Sequence, residues 1–276
     1  MISLDIVILV GLLGLILGSF CNVVISRLPK MIEQEWEYEH AVFAHEQDPE
    51  QWPLPPEPNL SLSSPRSHCP HCKTTLRWYE LIPVLSWAWQ RGACRHCGKP
   101  IAWLYPLVEL TSAALAVAAV LYFGLSAYAL AAYVFMMFLL AGTIIDAQTQ
   151  WLPDRITLPL LWLGLLFASL NLNPLGISLS AAVWGTMLGW GLLWTLATGF
   201  KVIAGKHGMG GGDIKLLAAL GAWLGPLALP SVLLAASLLG LSQALWLRWR
   251  HQQQGAFAFG PALAIAGAMI FLWGLQ

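Results

Sequence analysis

Two aspartates stand where acidic side chains are costly. Asp146 directly follows a long apolar run ending LLAGTIID, and Asp213 lies in HGMGGGDIKLLAALGAW, just ahead of another apolar run. A carboxylate at the edge of a membrane is expensive, so its default reading is functional. The two are 67 residues apart, and the chain between them is long and apolar enough to go out and come back. Both then return to one face at the same depth. Two carboxylates held close cannot both ionise cheaply and tend to share one proton near neutral pH. The ionised member can activate a water as general base, while the protonated member donates to an amide oxygen. That division of labour hydrolyses a peptide bond with neither a metal nor a covalent intermediate. Gly208, Gly210, Gly211 and Gly212 immediately precede Asp213 and leave backbone room for a substrate strand.

Plainer roles exist for each acid. Asp213 could cap a helix, and Asp146 could end one, solvated by headgroups. Asp154, after Pro153, reads as an N-cap. Glu109, about a turn inside another apolar run, could bind a substrate amine or settle against a neighbouring helix. Lys215 reads as a side chain reaching for the interface. GMGGGDIK is not a phosphate loop: Lys215 is followed by Leu216 rather than Ser or Thr, and no strand precedes it.

Four of the five cysteines form one pattern. Cys69-Pro-His-Cys72 is followed, after 21 intervening residues, by Cys94-Arg-His-Cys97. Two CxxC knuckles with such a gap can converge as a four-thiolate zinc site. Four thiolates close the coordination sphere, so the metal is structural and pins a small domain with little core of its own. His68, His71 and His96 read as bystanders, and Cys21 as a small buried side chain.

The elements that must position these groups lie in lipid. Hydrophobic residues make up 58% of the 276 and charged residues 10%, with a mean hydropathy of +0.66. Soluble domains carry about 25% charged residues, so these charges cannot clothe a water-facing surface. The net charge is zero, and nothing points to nucleic acid. The first apolar run lacks a basic flank before it and a small-residue cleavage pattern after it, so it reads as a first span rather than a signal peptide.

Charge-free segments of about 20 residues mark spans. They fall at 6–26, 105–124 (broken only by Glu109), 125–145, two within 156–200 turning at Asn171-Leu-Asn-Pro-Leu-Gly, two within 216–247 broken near Gly225-Pro226 and Pro230, and 255–275. The expectation is an all-α polytopic membrane protein of about eight transmembrane helices. A small zinc-bound cytoplasmic domain is inserted between helices 1 and 2. Residues 1–26 form the first helix, 27–103 the cysteine domain and 104–276 a seven-helix membrane domain. With the N-terminus outside, all 14 Lys and Arg fall on the cytoplasmic side. The reducing cytoplasm disfavours disulfides between the knuckles. Residues 31–66 carry eight acids, one base and six prolines. They read as a solvated insertion with a short helix in MIEQEWEYEHAVF and an extended WPLPPEP. No internal repeat is present.

Together these residues resemble the bacterial type IV prepilin peptidases, the bifunctional leader peptidase and N-methyltransferase family of pilus and type II secretion systems. The likeness runs over nearly the whole chain. It is carried by GSFCNVVISRLP at 18–29, the two knuckles flanking IPVLSW at 82–87 and RGAC at 91–94, YPLVEL at 105–110, Asp146 with Leu-Pro-Asp at 152–154, Gly-Gly-Gly-Asp at 210–213 and Phe-Gly-Pro at 259–261. The GxGD block is shared with presenilin-like intramembrane proteases.

The resemblance implies a bacterial inner-membrane aspartyl endopeptidase with Asp146 and Asp213 catalytic. Its substrates would be prepilins or pseudopilins, cut on the cytoplasmic side between a short basic leader and an apolar helix. The new N-terminus would then be methylated with S-adenosylmethionine. No strand-turn-helix with G-x-G-x-x-G occurs, so the donor site has no address in the sequence.

The main competitor is a non-enzymatic membrane transporter or assembly scaffold with a zinc docking domain. Transporters place polar groups near the midplane at broken helices, whereas here the carboxylates gather at one face. A zinc hydrolase would need an open metal position, which four thiolates deny.

Overall fold

The structure is a computed structural model and describes residues 2–205, 209–249 (Leu247 by its backbone alone) and 258–275. Among these the protein is helical, with only two isolated antiparallel bridges and no strand. The helices are α1 (Leu4–Gln47), α2 (Leu85–Trp89), α3 (Leu104–Phe123), α4 (Ala127–Thr149), α5 (Asp154–Ser169), α6 (Leu179–Ala204), α7 (Gly211–Leu224), α8 (Leu229–Trp249) and α9 (Gly260–Gly274). Every expected apolar segment forms a helix. Five helical segments are long and apolar enough to cross a membrane: α1, α3, α4, α6 and Pro226–Trp246, which includes most of α8. The helices α5, α7 and α9 have 16, 14 and 15 residues, short of the ~20 that a bilayer core asks of a lone helix.

The chain divides into two compact units, Met1–Ala118 and Ala119–Gln276. In the first, α1 does not stop where the charges begin. It runs 44 residues, through Pro29, to Gln47, about 66 Å at 1.5 Å per residue. The stretch expected as a separate short helix is its continuation, and Glu, Gln, Lys and Ala there are good helix formers. Gly14 and Gly18 let α1 touch the backbone of α3. A methyl group on Gly14 would sit 2.6 Å from Ala113 Cα, and one on Gly18 would sit 2.7 Å from Glu109 Cα. Polar side chains seal this contact. The Ser112 hydroxyl donates to the Gly14 carbonyl at 2.6 Å and the Asn22 amide to the Tyr105 carbonyl at 3.0 Å. Small residues spaced by four are the device by which helices approach in lipid, where no hydrophobic drive brings them together.

The second unit repeats the device. Gly185 of α6 lies against Gly221 of α7, and a methyl group on Gly189 would be 2.6 Å from the Leu217 carbonyl oxygen. Residues 216–224 of α7 are all buried, enclosed by α5, α6, α8 and α9. Trp223 closes the core. Its ring lies 4.9 Å from Phe135 and 5.5 Å from Phe167, and its indole N–H donates to the Leu160 carbonyl at 2.8 Å. A buried Trp needs such a partner.

Candidate active site and metal-binding cluster

Asp146 sits in the last turn of α4, and Asp213 in the first turn of α7. Asp146 is only 4% exposed, and Asp213 is half-buried. The N-terminus of α9 comes between them. A methyl group on Gly260 would overlap Asp146 Oδ2 and lie 3.2 Å from Asp213 Oδ1. The two carboxylates therefore border one small space, with the backbone of Gly260 as its third wall. The Gly260 N–H also faces the Asp146 carboxylate, whereas Asp146 Oδ2 is buried with no hydrogen-bond partner among the described residues. An orphaned buried acceptor is costly, and a shared proton or a water would satisfy it.

The segment joining α4 to α5 shapes this corner. Gln150 takes the left-handed conformation (φ 55°) that ends α4. The chain then passes Leu152, whose side chain and carbonyl lie 2.9 Å from where a Gly212 methyl would be. Gly212 thus closes α7 onto this segment, one residue ahead of Asp213. Gly210 and Gly211 have open space where a side chain would stand. Gly208 lies outside the described residues. Asp154 opens α5 as its first residue, with Pro153 as the cap, and both its oxygens accept from the Lys215 ammonium at 2.5 and 2.6 Å. Lys215 thus has a partner of its own.

Glu109 belongs to the first unit, where its carboxylate accepts from the Val84 amide at 2.7 Å. Sequence reasoning gave no role to Gly260 or to the Asp154–Lys215 pair. The Phe-Gly-Pro block ahead of an apolar run was the available signal for the first, and nothing in local spacing announces the second.

Cys69, Cys72, Cys94 and Cys97 have all their sulfurs within 4.8 Å of one another. The Sγ atoms of Cys69 and Cys97 are 3.9 Å apart, close to the roughly 3.8 Å edge of a tetrahedron with ~2.3 Å metal–sulfur bonds. The donor set and spacing fit a metal ion. Each knuckle folds the same way. The amides of Lys73 and Gly98 donate to the carbonyls of Cys69 and Cys94, and the Cys69 and Cys94 amides pair with the Thr74 and Lys99 carbonyls. Residue 73 in one and 98 in the other has positive φ, 59° and 69°. Side-chain and backbone hydrogen bonds from Thr74 hold the Cys72 thiol down at about 6, and the amides of Cys97 and His96 lower that of Cys94. Amides aimed at sulfur favour the thiolate that a metal needs. Among the described residues no histidine joins the cluster. His96 instead lies 3.6 Å from Glu80, and His68 is within hydrogen-bond distance of the Arg66 carbonyl.

Comparison with known proteins agrees with this division. Residues 12–123 match the bacterial peptidase A24 N-terminal domain, and residues 133–245 the type IV leader peptidase family. The chain is 49% identical over 270 residues to the prepilin leader peptidase/N-methyltransferase of Aeromonas hydrophila, covering 96% of this chain and 90% of that one. The proteins of the same description from Burkholderia pseudomallei (strain 1026b) and Neisseria gonorrhoeae are 47% and 43% identical, covering 95% of this chain and 84% and 89% of theirs. No solved structure matches. With two family models in register and relatives aligned almost end to end, the chain belongs to the type IV leader peptidase family.

Proposed function

We propose that this membrane protein removes the leader peptides of prepilins and pseudopilins, with Asp146 and Asp213 as the aspartyl pair, and then methylates the new N-terminus. The observation that carries the peptidase half is the convergence of both carboxylates on the space beside Gly260. One carboxylate activates a water, and the other, protonated, donates to the scissile carbonyl oxygen. Gly208, Gly210 and Gly212 give the substrate backbone its approach; the open space at Gly210 supports this. S-Adenosylmethionine is a co-substrate that supplies the methyl group, and none of the residues described above is assigned to it.

The distribution of Lys and Arg supports an N-terminus on the periplasmic side of the inner membrane, with the cysteine domain and the aspartyl pair on the cytoplasmic side. A substrate whose leader is retained there is itself basic ahead of its apolar helix, for the same reason. The four cysteines hold structural zinc, the ion that four thiolates favour.

The test is purified protein, a prepilin and S-adenosylmethionine, with the pilin N-terminus read by mass spectrometry. Asp146→Asn and Asp213→Asn should each abolish cleavage while leaving a folded protein. Activity retained in either ends the peptidase reading.

A further inference from the structure

We propose that Gly260 is a positioning residue of the aspartyl pair: its bare backbone keeps open the space in which Asp146 and Asp213 share a proton and a water, and its amide orients Asp146. This rests on the peptidase reading above and extends it to α9, which neither carboxylate occupies.

Three observations meet at this point. The first is steric. Any side chain at 260 would overlap Asp146 Oδ2 and press on Asp213 Oδ1 at 3.2 Å. A neighbour at such range must move, and here the neighbours are the two carboxylates themselves. The second is the orphaned oxygen. Asp146 Oδ2 is buried without a partner among the described residues, and a proton or water in the space beside it would satisfy it. The third is the orientation of α9. Gly260 is its first residue, and the first amides of a helix have no partner within the helix. The Gly260 N–H faces the Asp146 carboxylate, Pro261 has no N–H to offer, and the Leu263 amide is already taken by the Phe259 carbonyl. The positive end of α9 therefore meets Asp146 through Gly260.

Backbone freedom is not what selects glycine here, because Gly260 has ordinary helical geometry and no positive φ. The missing Cβ alone does so. Packing of α9 against both α4 and α7 sets the third wall.

The test is Gly260→Ala in the full-length protein, assayed for prepilin cleavage across pH. A displacement of about 1 Å in a reacting group costs on the order of 100-fold, so kcat should fall by about that much with KM within about threefold. A methyl wedge that parts the carboxylates weakens their coupling, so the two limbs of the pH–kcat profile should move closer together. Gly199→Ala, at a position with open space, is the control and should behave as wild type.

Should Gly260→Ala unfold the protein, Asp146→Ala/Gly260→Ala decides the matter. Shortening Asp146 removes the overlapping oxygen, so the double variant should be as stable as Asp146→Ala alone. The inference is overturned if Gly260→Ala keeps kcat within about threefold of wild type, or if it costs the same stability with and without the Asp146 carboxylate. If instead Asp146→Asn or Asp213→Asn remains active, the peptidase reading has failed rather than this one.

Discussion

The backbone amide of Val84 donates to the Glu109 carboxylate at 2.7 Å, and Val84 does so from φ 59° and ψ −48°. A β-branched residue in that region is strained, by about 1–3 kcal/mol, and Glu109 is only 7% exposed. A buried acid in α3 thus holds the start of α2 in a conformation it would otherwise leave. Glu109→Ala strands the Val84 amide and should destabilise the first unit by about 1–3 kcal/mol. Glu109→Gln, which keeps an acceptor, should cost less. Thermal unfolding in detergent, followed through the tryptophans around α2, measures both.

The Asp154–Lys215 pair is short but only partly buried, with Asp154 half-exposed. Exposed pairs are worth about 0–1 kcal/mol because solvent screens them. Asp154→Asn and Lys215→Met should therefore each lower stability by less than about 1 kcal/mol. A double-mutant cycle should return a coupling below that figure, shrinking with added salt. A coupling of several kcal/mol would mean the pair sits in a drier place than the structure gives it.

Cys69→Ser or Cys94→Ser should abolish metal binding, read as the loss of stoichiometric zinc by elemental analysis, because the cluster has no fifth donor among the described residues. Removal of the metal should loosen the segment around the knuckles and harm methylation before it stops peptide hydrolysis. The α4–α7–α9 corner shares no residue with the cluster. Zinc retained at full stoichiometry in the cysteine variants would refute the assignment.

Gly212→Ala should press on Leu152, whose side chain and carbonyl both lie 2.9 Å from the added methyl. Asp213 is the next residue, so the shift reaches the carboxylate. Cleavage should drop by about 10- to 100-fold, whereas Gly199→Ala, which meets nothing, should retain most activity. A prepilin cleavage assay on both variants checks the contrast.

Much of this was legible in the sequence. The charge-free runs marked where the apolar helices fall, because lipid leaves few alternatives to a helix. The paired knuckles were legible because thiolate ligands need short, regular spacing. The aspartates stood out because a carboxylate beside lipid demands a reason. Gly260 was not legible, since what selects it is an oxygen on Asp146, 114 residues away. The reach of α1 was hidden by Pro29 and the first charges, which suggest an end that packing and helix propensity override. Val84 carries no turn residue to advertise its strained backbone.

Arg27 donates to the carbonyls of Ser61, Leu62 and Pro65, at 2.8, 3.4 and 2.7 Å. The returning chain is thereby moored to the shaft of α1 close to where the charges begin, three residues ahead of His68. Beyond that mooring the helix projects for about another 30 Å. One side chain thereby ties the returning chain to the helix that carried it out, so the insertion is a closed loop whose base is Arg27.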